Sequence, residues 1–111
     1  MRTIIAGSRT IYKYSIVLRA IKESNFDITS VVSGTAKGVD RLGETYASLR
    51  EIPCERFPAD WERYGKSAGY IRNKQMLDEG KPDLVIAFPG GRGTANMIKL
   101  AKDAGVEVIE V

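Results

Sequence analysis

The sequence contains no histidine and a single cysteine, and each shortage excludes a class of chemistry. Without histidine there is no Ser–His–Asp or Cys–His catalysis and no imidazole acid–base step, and most zinc sites are excluded. Because Cys54 is the only cysteine, the chain has no internal disulfide and no thiolate metal cluster. We therefore expect a reducing compartment, no protein-bound metal, and Cys54 in a buried strand.

Long apolar runs are also missing. No segment approaches the roughly 20 apolar residues that a membrane span needs, so we expect a cytoplasmic protein with no membrane partner. The 17 basic and 14 acidic residues give a formal charge of +3. This balance favours anionic ligands but falls short of the dense basic patches of a dedicated DNA-binding protein. A length of 111 residues predicts one domain, 1–111.

Apolar runs and helical periodicities alternate along the chain. Strands are predicted at residues 2–7, 30–34, 53–58, 83–88 and 106–111. Helices are predicted at residues 11–24, 39–50, 67–79 and 94–104, with Ser67 and Thr94 as the N-caps of the last two. This strict alternation predicts an α/β fold, a three-layer Rossmann-like sandwich. Its parallel sheet should have about five strands, with helices on both faces.

In such sheets a ligand binds beyond the carboxyl ends of the strands, where the strand order reverses. The loops that follow the first four predicted strands are GSR (7–9), SGTAKGVD (33–40), PADWERYGKS (58–67) and PGGRGT (89–94). These loops and the helix after the third supply the candidate ligand- and phosphate-binding residues. They are Gly7, Ser8, Arg9, Ser33, Gly34, Thr35, Gly38, Asp40, Asp60, Arg72, Asn73, Gly90, Gly91, Arg92, Gly93 and Thr94.

The loop PGGRGT carries the strongest single signal. Its glycines let the backbone approach a ligand, and a helix N-terminus that follows directs N–H groups and a positive dipole end at the same point, which is typical of phosphate binding. Two familiar motifs are absent. Asp60 occupies the first glycine position of a P-loop that would end at Gly65-Lys66-Ser67, and Asn96 occupies the third glycine position of a dinucleotide fingerprint.

Several candidates keep two interpretations. Asp40 is either a capping carboxylate or a contact to ribose or to a Mg²⁺ that accompanies a nucleotide. Trp61 either stacks on a base or covers the core beneath its loop. Arg72 either binds an anion with its guanidinium fork or forms a surface ion pair.

Taken in order, GSR, SGTAKGVD, FPADWERYGKSAGYIRNKQM and AFPGGRGTANM resemble the small SLOG-type Rossmann-like proteins, in particular the YspA-like group known as domain of unknown function 2493. The resemblance covers nearly the whole chain. It implies a nucleotide or nucleotide-derived ligand and a bacterial or phage-infected host cell. The wider superfamily includes the LOG phosphoribohydrolases and the Smf/DprA DNA-processing proteins.

The comparison with LOG enzymes bears on catalysis. Those enzymes carry P-G-G-x-G-T-x-x-E, with an arginine on the preceding helix. Here the loop matches and Arg72 resembles that arginine, but Met97 stands at the glutamate position. N-glycosidic cleavage needs a carboxylate as a base or to stabilise positive charge on the ribose, and a thioether does neither. Asp40 or Asp60 would have to supply it from another loop.

Three hypotheses follow. The first is a nucleotide-binding protein without LOG chemistry. The second is an N-glycosidic hydrolase that uses a relocated carboxylate, with Asp40, Asp60 and Arg72 as catalytic candidates. The third is a single-stranded nucleic-acid-binding protein resembling DprA, which has less support because the net charge is small. A homodimer is a separate possibility, with Tyr12 and Tyr14 beside the apolar stripe of the first helix as interface candidates.

Overall fold

A computed structural model describes residues 1–111. The strands are β1 (Arg2–Ala6), β2 (Ser30–Ser33), β3 (Cys54–Arg56), β4 (Leu84–Ala87) and β5 (Glu107–Glu110). The helices are α1 (Tyr14–Ser24), α2 (Val39–Arg50), α3 (Trp61–Tyr64), α4 (Ala68–Gly80) and α5 (Arg92–Asp103), and a 3₁₀ turn spans Gly65–Ser67. No helix is both long and apolar enough to cross a bilayer.

The five strands form one parallel sheet in the order β3-β2-β1-β4-β5. In the central strand, Thr3 lies opposite Val31 of β2 and Leu84 of β4. The chain moves outward from β1 through β2 to β3, then crosses back to β4 on the other side of β1. The strand order therefore reverses between β1 and β4, which is where folds of this kind place their ligands.

Two cores confirm the three-layer sandwich. Successive residues of a strand point to opposite faces, so Ile5 packs with the side chains of α1 and α2, whereas Ile4 packs on the other face with α4 and α5. The strands β2 and β4 are buried along their whole length, as expected for parallel strands covered on both faces.

The first predicted helix is shorter than expected. It begins at Tyr14 instead of Ile11, because Lys13 has an extended backbone (φ −85°, ψ 110°) and is the N-cap residue. Tyr12 precedes the helix and is 67% exposed, whereas Tyr14 packs against the core. Cys54 lies on β3 as predicted, but it is only partly buried because β3 is an edge strand.

One of the two predicted helix caps is wrong. The last helix begins at Arg92 with Gly91 as its N-cap, so Thr94 belongs to the first turn. Ser67 is the N-cap residue of α4 as predicted, although it also ends the 3₁₀ turn and its side chain makes no capping hydrogen bond. The short helix α3 was not predicted at all. Its sequence signal is Asp60, whose side chain accepts a hydrogen bond from the Arg63 backbone N–H at 3.1 Å.

The loops after β1, β2 and β4 are locked together through Ser8. Its N–H donates to the Pro89 carbonyl at 2.9 Å, and its carbonyl accepts from the Val39 N–H at 3.2 Å. Glycines permit this close approach. A β-carbon at Gly38 would lie 2.3 Å from the Ser8 carbonyl oxygen, and one at Gly90 would lie 2.3 Å from Thr94 Oγ1. Gly38 also has a φ of +78°, which a residue with a side chain rarely adopts.

This packing predicts a large difference between two glycine substitutions. Gly38→Ala should lower the free energy of unfolding by about 3 kcal/mol or more, because the methyl group meets backbone as well as an unfavourable φ. Gly105→Ala is the matched control. It has a φ of +75° with open space around it, so only the backbone strain of about 1 kcal/mol applies. Urea denaturation measures both, and equal losses would contradict the proposed role of the contact with Ser8.

Candidate functional site

A cavity of about 380 Å³ opens beyond the carboxyl ends of β1 and β4. Its walls are the loop after β1, the start of α2, one face of α4 and the first turn of α5. The candidate residues that line it are Gly7, Ser8, Arg9, Asp40, Arg72, Asn73, Gly91, Arg92, Gly93 and Thr94. Residues 6, 10, 36, 76 and 97 complete the wall. Ten of the candidates from three loops and one helix therefore meet in one space.

A second compartment of about 220 Å³ adjoins this cavity. The two share Arg9, Ala36 and Arg72 as walls. Two more candidates, Gly34 and Thr35, line the second compartment together with Pro58, Ala59 and Trp61. The loop after β3, which was expected at the same edge, therefore contributes to the second compartment only.

Four candidates line neither compartment and have structural roles instead. Gly38 and Gly90 permit the close packing of the loops described above. Ser33 is fully buried, and its hydroxyl donates to Glu44 Oε2 at 2.7 Å and accepts from the Thr35 N–H at 3.1 Å. Asp60 caps α3. Asp60 lines neither compartment.

The first turn of α5 presents unused hydrogen-bond donors to the cavity. The first intrahelical bond joins the Ala95 N–H to the Gly91 carbonyl at 3.1 Å, and no side chain caps the helix. The N–H groups of Arg92, Gly93 and Thr94 therefore have no partner within the helix. A β-carbon at Gly91 or Gly93 would meet no atom within 4 Å, so the backbone here is open to an approaching ligand.

Arg72 lies between the two compartments. Its Nη1 donates to the Gly34 carbonyl oxygen and its Nε donates to Asn73 Oδ1 at 3.1 Å, while Nη2 makes no hydrogen bond. Partial burial lowers the pKa of Arg72, an effect that Asp40 opposes and Arg9 adds to. The side chain stays charged, since arginine does not lose its proton in proteins. It is therefore a fixed cation with donors left for a ligand.

Asn73 positions this arginine, and its own hydrogen-bonding groups are engaged mainly within the protein. Its side chain is 95% buried, and its Nδ2 donates to the Gly93 carbonyl and to Asn96 Oδ1, both at 3.0 Å. Together with the bond from Arg72 Nε, these contacts use most of its hydrogen-bonding capacity. Asn73 thereby ties α4 to the first turn of α5 and fixes the distance between Arg72 and the α5 donors.

Asp40 is the only acidic side chain on the cavity wall. It is 8% exposed, and its Oδ2 accepts a hydrogen bond from the Ala36 N–H at 3.2 Å. Burial raises the pKa of Asp40 to about 6, against the lowering effect of the Ala36 N–H and of Arg72. The carboxylate and the guanidinium of Arg72 form no ion pair. A β-carbon at Gly34 would lie 2.8 Å from Asp40 Oδ2 and 2.9 Å from Arg72 Nη1.

The cavity is electropositive. Arg9, Arg72 and Arg92 make no salt bridge, whereas Arg2 and Arg56 both pair with glutamates. No group of three or more acidic, cysteine or histidine side chains forms a metal site anywhere in the chain. The floor is apolar, because Met76 and Met97 are each 2% exposed and belong to the core beneath α4 and α5.

Five wall residues were not among the predicted ligand-binding residues, and two of them, Thr10 and Ala36, contribute polar groups to hydrogen bonds beside the cavity. Thr10 follows the quoted GSR motif directly, and its hydroxyl pairs with that of Ser8. The role of Ala36 lies in its backbone N–H, so nothing in its side chain could have revealed it.

The fold and the cavity define a small Rossmann-like α/β domain with a polar, cationic cavity at the switch point of its sheet. Within that class, the chain belongs to the YspA, cpYpsA-related SLOG family (YAcAr), whose family model matches residues 1–64. This confirms the resemblance found in the sequence and marks the domain as having a nucleotide-related binding fold. The matched region includes the loops after β1 and β2. It ends before α4 and the loop after β4.

A phage relative extends the similarity along the chain. The Gene 61 protein of Mycobacterium phage D29 is 35% identical over 119 residues, covering 97% of this chain and 94% of the relative. Among solved structures, UDP-GlcNAc 2-epimerase from Methanocaldococcus jannaschii is similar with a TM-score of 0.48 and 19% identity. That alignment covers 100% of this chain but only 31% of the epimerase chain.

The burial of Asp40 predicts a pH-dependent stability. Because the folded-state pKa of about 6 exceeds the ordinary 3.8, the contribution of Asp40 to stability is full below about pH 4 and is lost as the pH rises through 6. Asp40→Asn removes this loss. Its free energy of unfolding relative to the wild type should therefore rise by roughly 3 kcal/mol between about pH 4 and about pH 8.

Chemical denaturation across that pH range measures the difference. Asp60→Asn is the control, since it makes the same charge change in a carboxylate that caps a short surface helix. Parallel pH profiles for Asp40→Asn and the wild type would show that Asp40 titrates normally.

Proposed function

We propose that this protein binds a nucleotide or nucleotide derivative and holds its phosphate at the first turn of α5. One observation carries the proposal. The unpartnered N–H groups of Arg92, Gly93 and Thr94 open onto a cavity where three arginines lack acidic partners. A helix N-terminus of this kind favours an anion through both its free donors and its dipole.

The cavity suits a phosphorylated small molecule in size and in charge. Its volume of about 380 Å³ lies within the usual range for small-molecule sites. Arg92 stands at the first position of α5 and Arg9 lies on the opposite loop, so a phosphate at the helix terminus is near two exposed cations. Guanidinium groups bind phosphate with paired, charge-assisted hydrogen bonds.

The position that carries the catalytic glutamate in LOG phosphoribohydrolases has no carboxylate in this chain. Met97 packs into the core at 2% exposure and offers only a thioether to the cavity floor. We therefore favour binding without LOG-type turnover. A Mg²⁺ ion would enter with the ligand's phosphate, since Asp40 alone is too few ligands for a protein-held metal.

A second candidate function is hydrolysis of an N-glycosidic bond by Asp40. The supporting observation is a buried carboxyl group on the cavity wall whose pKa is raised to about 6, close to the value that suits a general base at neutral pH. The other carboxylate candidate, Asp60, does not line the cavity.

Single-strand nucleic-acid binding has less support. Of the basic residues that would contribute, Lys74 pairs with Asp78 at 2.9 Å and Arg72 is partly buried. Three cations, Arg9, Arg72 and Arg92, line the main cavity, and the net charge of +3 is small for the extended basic groove that a strand follows.

The binding proposal predicts a thermal shift. A nucleotide at about 100 times its dissociation constant stabilises the fold by about 2.7 kcal/mol, which raises the Tm by on the order of ten degrees. Gly91→Val should abolish the shift, because the isopropyl group fills space that is open in the wild type. Ala95→Val is the matched control on the same helix turn, outside the cavity wall.

The screen uses mono-, di- and cyclic nucleotides, ADP-ribose and NAD, each with and without Mg²⁺. If no nucleotide raises the Tm, or if Gly91→Val and Ala95→Val respond alike, the phosphate does not lie at α5.

The hydrolase candidate predicts a loss of turnover. Release of free base from nucleoside 5′-monophosphates, followed by chromatography, should fall at least about 100-fold in Asp40→Asn if Asp40 is the general base. The thermal shift with nucleotide should persist in this variant, which separates catalysis from binding. Undiminished base release in Asp40→Asn would eliminate this candidate, and no release by the wild type would leave the binding function alone.

A further inference from the structure

We propose that the second compartment is a base-stacking subsite, in which the indole of Trp61 binds the aromatic base of a nucleotide whose phosphate lies at α5. This inference rests on the proposed function and adds the recognition of the base. On this inference the ligand is a nucleotide that spans both compartments, and its aromatic base is required for full affinity.

The position of Trp61 is the first reason. It is half exposed, although a tryptophan side chain is usually well buried. One end of its ring lies beside Gly69, where an added β-carbon would be 3.5 Å from Trp61 Cη2. Trp61 therefore does not simply cover the core beneath its loop. Part of its exposed aromatic surface lines the second compartment.

The cations around the ring are the second reason. The guanidinium carbon of Arg9 lies 6.0 Å from the centre of the Trp61 ring, within the range of a cation–π contact. The unused Arg72 Nη2 lies 4.0 Å from the same β-carbon position at Gly69 that Trp61 approaches. An aromatic ring with cations beside it is the arrangement that proteins use to stack bases and to donate hydrogen bonds to their edges.

The connection between the compartments is the third reason. Arg9, Ala36 and Arg72 are walls of both, so a ligand that extends from one compartment into the other passes beside these three residues. The α5 end of the main cavity supplies the donors for phosphate, and the far compartment supplies the aromatic surface. No acidic side chain lines the second compartment, so nothing there repels an electron-rich base edge.

Trp61 also provides the measurement, since it is the only tryptophan in the chain. Its fluorescence should be quenched when the wild-type protein is titrated with AMP, GMP, CMP or UMP. Ribose 5-phosphate, which has the sugar and phosphate but no base, should raise the Tm without quenching and should bind more weakly.

Substitution tests the same contact by calorimetry. Trp61→Ala should weaken binding of the nucleoside monophosphates roughly 5- to 150-fold, the range measured for loss of one base–aromatic stack. Its affinity for ribose 5-phosphate should stay unchanged. Trp61→Phe should restore most of the affinity. Tyr64→Ala is the matched control, because Tyr64 is an exposed aromatic on the same short helix that lines neither compartment.

The outcomes separate this inference from the proposed function. If nucleotides and ribose 5-phosphate bind equally well and Trp61→Ala changes neither, the stacking subsite is wrong while the phosphate site stands. If neither class of compound binds, both proposals fail. If a thymidine oligonucleotide quenches Trp61 and the mononucleotides do not, the compartment serves a nucleic-acid strand and the inference is overturned.

Discussion

The main-chain hydrogen bonds of Ser8 are the constraint on which the site depends. Because β1 lies between β2 and β4, the loop that leaves it is flanked by the loops of both neighbours. Ser8 donates to Pro89 on one side and accepts from Val39 on the other. These two bonds place the N-termini of α2 and α5 beside one cavity. The glycines at 38 and 90 are needed because a side chain there would separate the loops.

The electrostatics of the cavity follow from this arrangement. Arg72 reaches across from α4 and is fixed by the Gly34 carbonyl and by Asn73, so its charge is held near Asp40 without forming an ion pair. Because an ion pair is not made, burial dominates and raises the pKa of Asp40 to about 6. The cavity therefore carries three cations and one carboxyl group that titrates just below neutral pH, a balance suited to an anionic ligand.

Much of the site could be predicted from sequence because loops after parallel strands must meet at one edge. That rule brought together ten of the candidate residues from GSR, SGTAKGVD and PGGRGT and from the helix that carries Arg72. The rule gave wrong candidates where a polar side chain hydrogen-bonds within its own loop. Asp60 and Ser33 have the polar side chains of ligand-binding residues, yet each is used by a nearby backbone N–H. Residue type cannot distinguish ligand binding from a local hydrogen bond to a backbone N–H, because each needs a side-chain oxygen that accepts a hydrogen bond.

The sequence by itself determined the strand–helix alternation, the glycine-rich approach to α5 and, through the absence of histidine, the exclusion of imidazole catalysis. These properties depend on residue type and local spacing alone. Only the tertiary structure decided that Trp61 faces a second compartment, that Asn73 is a positioning residue, and that Arg72 lies near Asp40 unpaired. Those facts depend on the strand order β3-β2-β1-β4-β5, which brings distant segments into contact and which no local pattern encodes.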